Sequence, residues 1–238
     1  MPKLVTISGP PSSGKTSVIL KTIAALRSSG IEVGVVKFDC LSTADGQLYE
    51  RADVPVVVGL SGSLCPDHFF ASNVEECLQW ADRLGLRFVF VESAGLCARC
   101  SPHIRDVLAV CVIDCLAGVG TPKKIGPMLK LADVVVLTKG DIVSQAEREV
   151  MAFRTKQANP RGAVITVNGI TGQGAQDLAE QVQERATETP SVRGGRLRFS
   201  MPTALCSYCL GETKLGDDYQ RGYVKKMSWG DAGGIRRE

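Results

Sequence analysis

The fold of this chain is constrained most by residues 9–16, which read GPPSSGKT. They follow a short apolar run at 3–8 and precede residues 15–27, whose apolar positions recur at helical spacing. Glycines in such a turn let backbone N–H groups point inward around a phosphate, and its lysine and threonine add a positive charge and a Mg²⁺ ligand. A strand, this loop and a helix in that order predict a P-loop that binds a nucleoside triphosphate.

This loop supplies most of the predicted nucleotide contacts. Lys15 is expected at the β- and γ-phosphates and is a predicted catalytic residue. The Thr16 hydroxyl is expected to bind Mg²⁺. The predicted nucleotide-binding residues here are Gly9, Ser12, Ser13, Gly14, Lys15, Thr16 and Ser17.

Apolar runs rich in valine alternate with helical patterns up to about residue 189. Predicted strands cover 3–8, 31–38, 54–60, 87–91, 107–113, 133–137 and 163–167, and predicted helices cover 15–27, 47–52, 71–84 and 176–185. This alternation favours right-handed βαβ connections and a mainly parallel, doubly wound sheet with its ligand at the carboxyl ends of the strands. We predict an α/β P-loop NTPase domain at 1–189 and a small cysteine-containing C-terminal appendage at 190–238.

Composition excludes several classes of function. The formal charge of +3 is small and no long block of like charge is present, so we expect no nucleic-acid partner. The P-loop begins within ten residues of Met1 and no apolar run approaches the ~18 residues of a membrane span, so we expect no membrane partner and a cytoplasmic location. Nine cysteines, an odd number, argue against a disulfide framework and for metal binding, thiol chemistry or simple apolar packing.

Thr138-Lys139-Gly140-Asp141 follows the predicted strand 133–137 and resembles the guanine-specificity motif of GTPases. An Asp carboxylate can accept from both N1–H and the exocyclic amine of guanine, whereas adenine offers no such pair of donors. The stem of Lys139 can cover the base. We therefore predict GTP as the nucleotide, bound in part by Thr138, Lys139 and Asp141.

Glu92-Ser93-Ala94-Gly95 ends the predicted strand 87–91, so it is expected to face the γ-phosphate as the second switch of a GTPase. Gly95 could present a backbone N–H to the nucleotide. Asp39, at the end of the second strand, is placed to act on Mg²⁺ or to orient the attacking water. Glu92 and Asp39 are predicted catalytic residues, although either could instead be a helix cap or a solvated turn.

These motifs together resemble the nickel-insertion GTPases, the family of the hydrogenase accessory protein HypB and the urease accessory protein UreG. The resemblance covers roughly residues 3 to 185. Its most specific pieces are Glu92-Ser93-Ala94-Gly95, the run 112–118 leading to Lys123-Lys124, the Thr-Lys-Gly-Asp motif, and Thr171-Gly172-Gln173-Gly174.

In that family a Cys-Pro-His or Cys-His element lies near a nucleotide-dependent dimer interface and binds nickel or zinc. The similar element here is Cys65-Pro66-Asp67-His68, in which Asp67 separates the proline from the histidine. Cys97 and Cys100 follow the predicted switch at a spacing that suits two thiolates on one soft metal ion. A symmetric dimer would bring four such thiolates, or Cys65 and His68 could join them; reduced structural cysteines are the alternative.

Cys206 and Cys209 form another C-x-x-C pair in the appendage. They are candidates for a second metal site, holding zinc or an iron–sulfur cluster, or they belong to a short β module.

We therefore expect a metallochaperone: a GTPase that dimerises with Mg·GTP and gates delivery of a metal, nickel above zinc, to a client metalloenzyme or its accessory proteins. One alternative is a nucleotide-driven reductase or activator with an iron–sulfur cluster held between two subunits. The other is a regulatory GTPase with structural cysteines.

Overall fold

The structure, a computed structural model, describes residues 1–97, 100–199, 211–220 and 222–229. The strands in this part are β1 (Lys3–Ser8), β2 (Val33–Asp39), β3 (Val56–Leu60), β4 (Phe88–Glu92), β5 (Leu108–Asp114), β6 (Val134–Thr138) and β7 (Ala163–Thr166). The helices are α1 (Lys15–Ser28), α2 (Asp45–Arg51), α3 (Pro66–Arg83), α4 (Thr121–Lys124), α5 (Pro127–Lys130), α6 (Gln145–Ala158) and α7 (Ala175–Arg185). Single 3₁₀ turns lie at Cys115–Ala117, Gly140–Ile142 and Asp217–Tyr219.

The strands form one sheet in the order β3-β2-β4-β1-β5-β6-β7, and every neighbouring pair is parallel. Helices α1 and α7 cover one face, while α3, α5 and α6 cover the other. Because both faces are covered, the strands are apolar on both sides, as the valine-rich runs predict. The predicted doubly wound α/β fold is confirmed, and the P-loop leaves the central strand β1 at the carboxyl edge of the sheet.

Helix α3 begins at Pro66, so the prediction that it starts at residue 71 is wrong. Cys65 has extended backbone angles and precedes the helix, and a proline in the first turn costs no helical hydrogen bond. Buried polar side chains interrupt the apolar periodicity of the first turns, which hides them in the sequence. They are Asp67, His68, Ser72 and Asn73.

Helix α6 was not predicted from the sequence, and neither were the short helices α4 and α5. In α6 a capping box is formed by Ser144 and Glu147, which accept from each other's backbone N–H groups. Only Met151 and Thr155 of this helix are buried, so it shows no apolar periodicity. Its start was nevertheless visible as a serine three residues before a glutamate.

The described residues after 189 pack on the nucleotide domain. Val192, Leu197 and Leu215 belong to the hydrophobic cluster that contains α3. Arg198 makes an ion pair with Asp133 at 2.7 Å. The domain boundary at 189/190 therefore stays a prediction, and these contacts argue for a segment that shares the core of the main domain. No helix among the described residues combines the length and the apolar character that a membrane crossing requires.

Candidate nucleotide site

The P-loop is built on backbone angles that favour glycine. Gly9 and Gly14 have φ of +148° and +90°, and a Cβ on Gly9 would lie 2.0 Å from the carbonyl oxygen of Val112. The ammonium of Lys15 donates to the carbonyls of Gly9 and Pro10 at 3.0 and 2.9 Å. Burial lowers the pKa of Lys15 to about 8, although the negative charge of Glu92 opposes the shift. The loop thus concentrates a cation and free N–H groups at one end of α1, as phosphate binding requires.

Glu92 lies at the centre of a buried polar cluster beside the P-loop. Its side chain is 1% exposed and accepts hydrogen bonds from Thr16 at 3.0 Å, from Lys37 at 2.7 Å and from the Tyr49 hydroxyl at 2.7 Å. These donors come from the P-loop, β2 and α2. The carboxylate predicted at the γ-phosphate end of β4 is therefore held by three elements at once.

Lys37 links this cluster to α2. Its ammonium lies 2.8 Å from Asp45 and 3.7 Å from Asp39. Burial lowers the pKa of Lys37, but Glu92 and Asp45 raise it and the net shift is upward. Burial raises the pKa of Asp45, but Lys37 outweighs it, so the net shift is downward and the pair stays ionised.

Sequence reasoning missed Lys37, Asp45 and Tyr49. The signal for Lys37 was a charged residue inside an otherwise apolar strand. The Asp45 carboxylate lies near the Thr16 hydroxyl, which helps to lower its pKa, whereas Asp39 accepts from the Cys40 N–H at 2.9 Å.

The donor set around Thr16 fits Mg²⁺. Thr16 contributes a hydroxyl oxygen that donates to the Glu92 carboxylate at 3.0 Å, and the Asp45 carboxylate lies near the same hydroxyl. Such hard oxygen donors are the ligands that Mg²⁺ takes in nucleotide sites, directly or through water. Asp39 has a partly exposed carboxylate near the same cluster and stays a candidate as predicted.

The Thr-Lys-Gly-Asp motif is hydrogen-bonded to the P-loop. The Thr138 hydroxyl donates to the Ser13 carbonyl at 2.6 Å, and the Lys139 ammonium donates to the Ser12 carbonyl at 2.7 Å. Asp114 lies 3.4 Å from the same ammonium. Asp141 is exposed at the carboxyl edge of the sheet, so its carboxylate is accessible to a ligand.

The 171–174 segment lies in the loop between β7 and α7. Asn168 shapes this loop by accepting from the N–H groups of Ile170 and Thr171 at 2.8 and 3.0 Å. A Cβ on Gly169 would lie 2.9 Å from Ser17, so the loop contacts the first turn of α1. Its place beside α1 is consistent with the nucleotide-site role that the resemblance implies.

Gly95 brings the segment after β4 onto the P-loop. Its φ is +72°, and a Cβ at this position would lie 1.7 Å from the Gly9 carbonyl oxygen and 3.3 Å from the Lys15 ammonium. Leu96, the next residue, is 56% exposed. The Cys97 and Cys100 pair follows directly on this tight contact.

The two thiols of that pair are close together, with 3.0 Å between their sulfur atoms. Cys100 is buried, whereas Cys97 is partly exposed. Burial raises the pKa of Asp67 to about 6, although the nearby Cys100 thiol opposes the shift. Burial and Cys97 raise the pKa of the Cys100 thiol, and Asp67 and Cys65 are near enough to raise it further.

The His68 side chain contacts the C-terminal segment. Its Nε2 lies 3.2 Å from the carbonyl oxygen of Tyr223, in the C-terminal segment. Within residues 1–97, 100–199, 211–220 and 222–229, no three His, Cys, Asp or Glu side chains are arranged to hold a metal ion. Cys206 and Cys209 lie outside the described residues, so the predicted second site is not addressed.

Other cysteines are packed as small apolar residues. Cys77, Cys111 and Cys115 are all buried in the hydrophobic clusters, in agreement with their apolar sequence surroundings.

Known proteins share this sequence pattern. A sequence model of the CobW/HypB/UreG nucleotide-binding domain matches residues 3–166. The uncharacterized protein MJ0120 of Methanocaldococcus jannaschii is 43% identical over 225 residues, which are 94% of this chain and 96% of that protein. The urease accessory protein UreG of Edwardsiella ictaluri is 29% identical over 192 residues, which are 75% of this chain and 91% of UreG.

Solved structures share the fold. The hydrogenase maturation factor HypB from Archaeoglobus fulgidus has a TM-score of 0.59 at 20% identity, with 77% of this chain and 89% of that chain covered. HypB from Helicobacter pylori in complex with nickel also has a TM-score of 0.59, at 15% identity and with 79% and 91% covered.

Proposed function

Because the chain belongs to the CobW/HypB/UreG family of nucleotide-binding domains, we propose that it is a GTPase that gates the delivery of nickel to a client metalloenzyme or its accessory proteins. The observation that carries this proposal is the contact of Gly95 with the P-loop, two residues before Cys97. A cysteine pair attached to the nucleotide-sensing segment can change its geometry when the γ-phosphate is present or absent.

The described residues have distinct tasks in this proposal. Lys15 and the P-loop N–H groups bind the β- and γ-phosphates, and Thr16, Glu92 and Asp45 hold Mg²⁺. Mg²⁺ supplies charge neutralisation at the phosphate oxygens when it is bound. Gly95 offers its N–H at the γ-phosphate, where it senses hydrolysis.

Glu92 is proposed to orient Thr16 rather than to remove a proton from water. Its carboxylate already accepts from Thr16, Lys37 and Tyr49, and it is 1% exposed, so little of it faces solvent. Asp39 has a more accessible carboxylate, and we propose that it orients the attacking water.

Guanine recognition is assigned to Asp141. Lys139 and Thr138 bond to P-loop carbonyls, so the position of the motif relative to the P-loop is fixed. Asp141 is then left free to accept from N1–H and the exocyclic amine of guanine.

The cargo ion is proposed to bind Cys97 and Cys100, and its remaining ligands come either from Cys65 and His68 or from a second chain. Two thiolates do not complete a tetrahedral site, so we propose a GTP-dependent homodimer in which two chains supply four. The exposed Leu96 between Gly95 and Cys97 is consistent with an apolar contact at that interface. Thiolates also suit zinc, so the choice of nickel rests on the family.

The test is metal affinity of the full chain, purified without oxygen, with GDP or with a non-hydrolysable GTP analogue. We expect the analogue to strengthen nickel binding at least ~fivefold, which is the lower range of coupling between two sites. Cys97→Ala and Cys100→Ala should abolish the strengthened binding, whereas Cys77→Ala, at a buried position on α3, should retain it. Equal nickel affinity with both nucleotides would reject the proposal, and preferential zinc binding would reassign the cargo.

A further inference from the structure

Lys37 is a buried cation surrounded by carboxylates of the nucleotide site. Lys37 and Glu92 are direct neighbours on the parallel strands β2 and β4, and their side chains lie on the same face of the sheet. The Lys37 side chain is 4% exposed, with its ammonium 2.7 Å from Glu92 and 2.8 Å from Asp45. Asp39 lies 3.7 Å away.

A cation that is buried in this way does not contribute to the solubility of the protein surface. Removing an ammonium from water costs several kcal/mol unless close carboxylates offset the loss. The offset here comes from Glu92 on β4 and Asp45 on α2. The ammonium therefore links the first turn of α2 to the end of β4, together with the hydrogen bond from the Tyr49 hydroxyl to Glu92. Without the ammonium the two carboxylates would repel each other.

The same carboxylates surround the P-loop threonine. The Thr16 hydroxyl donates to Glu92 at 3.0 Å and lies near Asp45. A metal ion held by Thr16 would draw on these carboxylate oxygens, so it would use groups that Lys37 already occupies.

We propose that Lys37 is a positioning residue that stands in for the metal ion: it holds Asp45 and Glu92 together in the nucleotide-free protein, and Asp45 exchanges Lys37 for Mg²⁺ when Mg·nucleotide binds. This inference rests on the nucleotide site of the proposed function but not on metal delivery. Mg²⁺ must then compete with an internal ammonium, which keeps its affinity low until the nucleotide phosphates contribute. The exchange removes the ionic link between α2 and β4 and leaves the hydrogen bond from Tyr49 to Glu92.

The test uses the full chain and two binding measurements with a fluorescent GDP. The first is nucleotide affinity in the presence of a chelator, and the second is a Mg²⁺ titration of the nucleotide complex. Lys37→Met should raise Mg²⁺ affinity on the order of tenfold, because Lys37 no longer competes with Mg²⁺ for the Asp45 carboxylate. The interaction energy of such a buried ion pair is larger than that of an exposed one. It should lower the affinity for metal-free GDP, because a positive charge near the phosphates is lost.

Opposite shifts of the two affinities distinguish this role from a structural one. A merely damaged fold would weaken both, and that result, or an unchanged Mg²⁺ affinity, would overturn the proposal. Lys37→Arg keeps the charge and should lie closer to wild type than Lys37→Met in both measurements. Lys130→Met, at an exposed position on α5, is the matched control and should change neither affinity.

Asp45→Asn keeps the test decisive if Lys37→Met does not fold. It removes the carboxylate that is exchanged, so Mg²⁺ affinity should fall about tenfold, and an unchanged affinity would overturn the proposal. Failure of the wild type to bind any guanine nucleotide would instead reject the proposed function. Nucleotide binding without the predicted Mg²⁺ shifts would reject only the role of Lys37.

Discussion

Gly95 packs so closely on Gly9 that a Cβ on Gly95 would lie 1.7 Å from the Gly9 carbonyl oxygen. The end of β4 and the start of the P-loop are therefore in direct backbone contact, so neither can move closer to the other. Cys97 lies two residues beyond this contact. An effect of the nucleotide can reach the cysteine pair through this contact.

Gly95→Ala should weaken GTP binding at least ~tenfold and slow hydrolysis by a larger factor, because the P-loop must shift to admit a methyl group. Gly30→Ala is the matched control: Gly30 also has φ of +72°, but a Cβ there meets nothing within 4 Å. It carries the same backbone strain without the close approach. Both variants are compared by nucleotide affinity and by single-turnover hydrolysis, and equal effects would show that strain alone is responsible.

Asp141→Asn should lower GTP affinity on the order of a hundredfold and improve the affinity for xanthosine triphosphate. An amide can donate to the additional carbonyl of xanthine but cannot accept both guanine donors. Competition between the two nucleotides measures the switch. Asp177→Asn, at an exposed position on α7, should leave the preference unchanged. Wild-type GTP affinity in Asp141→Asn would contradict guanine recognition by this residue.

The P-loop and the Thr-Lys-Gly-Asp motif could be predicted because their residues are consecutive and their spacing reflects local backbone geometry. The cluster around Glu92 could not, since Lys37, Asp45 and Tyr49 come from β2 and α2 and meet only when the sheet is ordered. In the sequence, the cluster was indicated only by a lysine within a valine-rich strand.

The candidate ligand His68 shows a second limit of sequence reasoning. Spacing places it one helical turn from Cys65, which suggested a shared ligand. In the structure its Nε2 faces the carbonyl of Tyr223, a residue 155 positions away that no local pattern indicates. Its role as a ligand therefore stays a prediction that requires this contact to open.

Arg198 should connect the C-terminal segment to the stability of the whole domain. Its guanidinium bonds the Asp133 carboxylate and the carbonyls of Ile104, Val107 and Leu131 at 2.7 to 2.9 Å. Arg198→Lys cannot reproduce these contacts, so we expect the free energy of unfolding to fall by about 2 kcal/mol. The exposed Arg196→Lys is the control, and denaturant unfolding is the measurement. If the Arg198 variant is as stable as the control, these contacts do not connect the residues after 189 to the stability of the domain.

His103 should make the fold sensitive to acid. It is buried, its Nδ1 lies 3.0 Å from the Thr6 hydroxyl, and its Nε2 lies 3.0 Å from the Met128 carbonyl. Burial lowers the pKa of His103 to about 4, and the charge of Arg198 adds to the shift. A neutral ring satisfies these partners, with Nε2–H donating to the carbonyl and Nδ1 accepting from the hydroxyl.

The direction of the effect follows from the two states. The unfolded chain binds a proton at His103 below a pKa of about 6.5, whereas the folded chain does so only near 4, so stability present above pH 6.5 is lost as pH falls towards 4. At pH 5 the loss of unfolding free energy from this group is about 2 kcal/mol.

The measurement is the free energy of unfolding at pH 7 and pH 5 for the wild type and for His103→Gln. A glutamine amide can still donate to the Met128 carbonyl and accept from Thr6, but it does not titrate, so the variant should be less stable at pH 7 and lose less on acidification. An equal loss in both proteins would assign the acid sensitivity to the carboxylates instead.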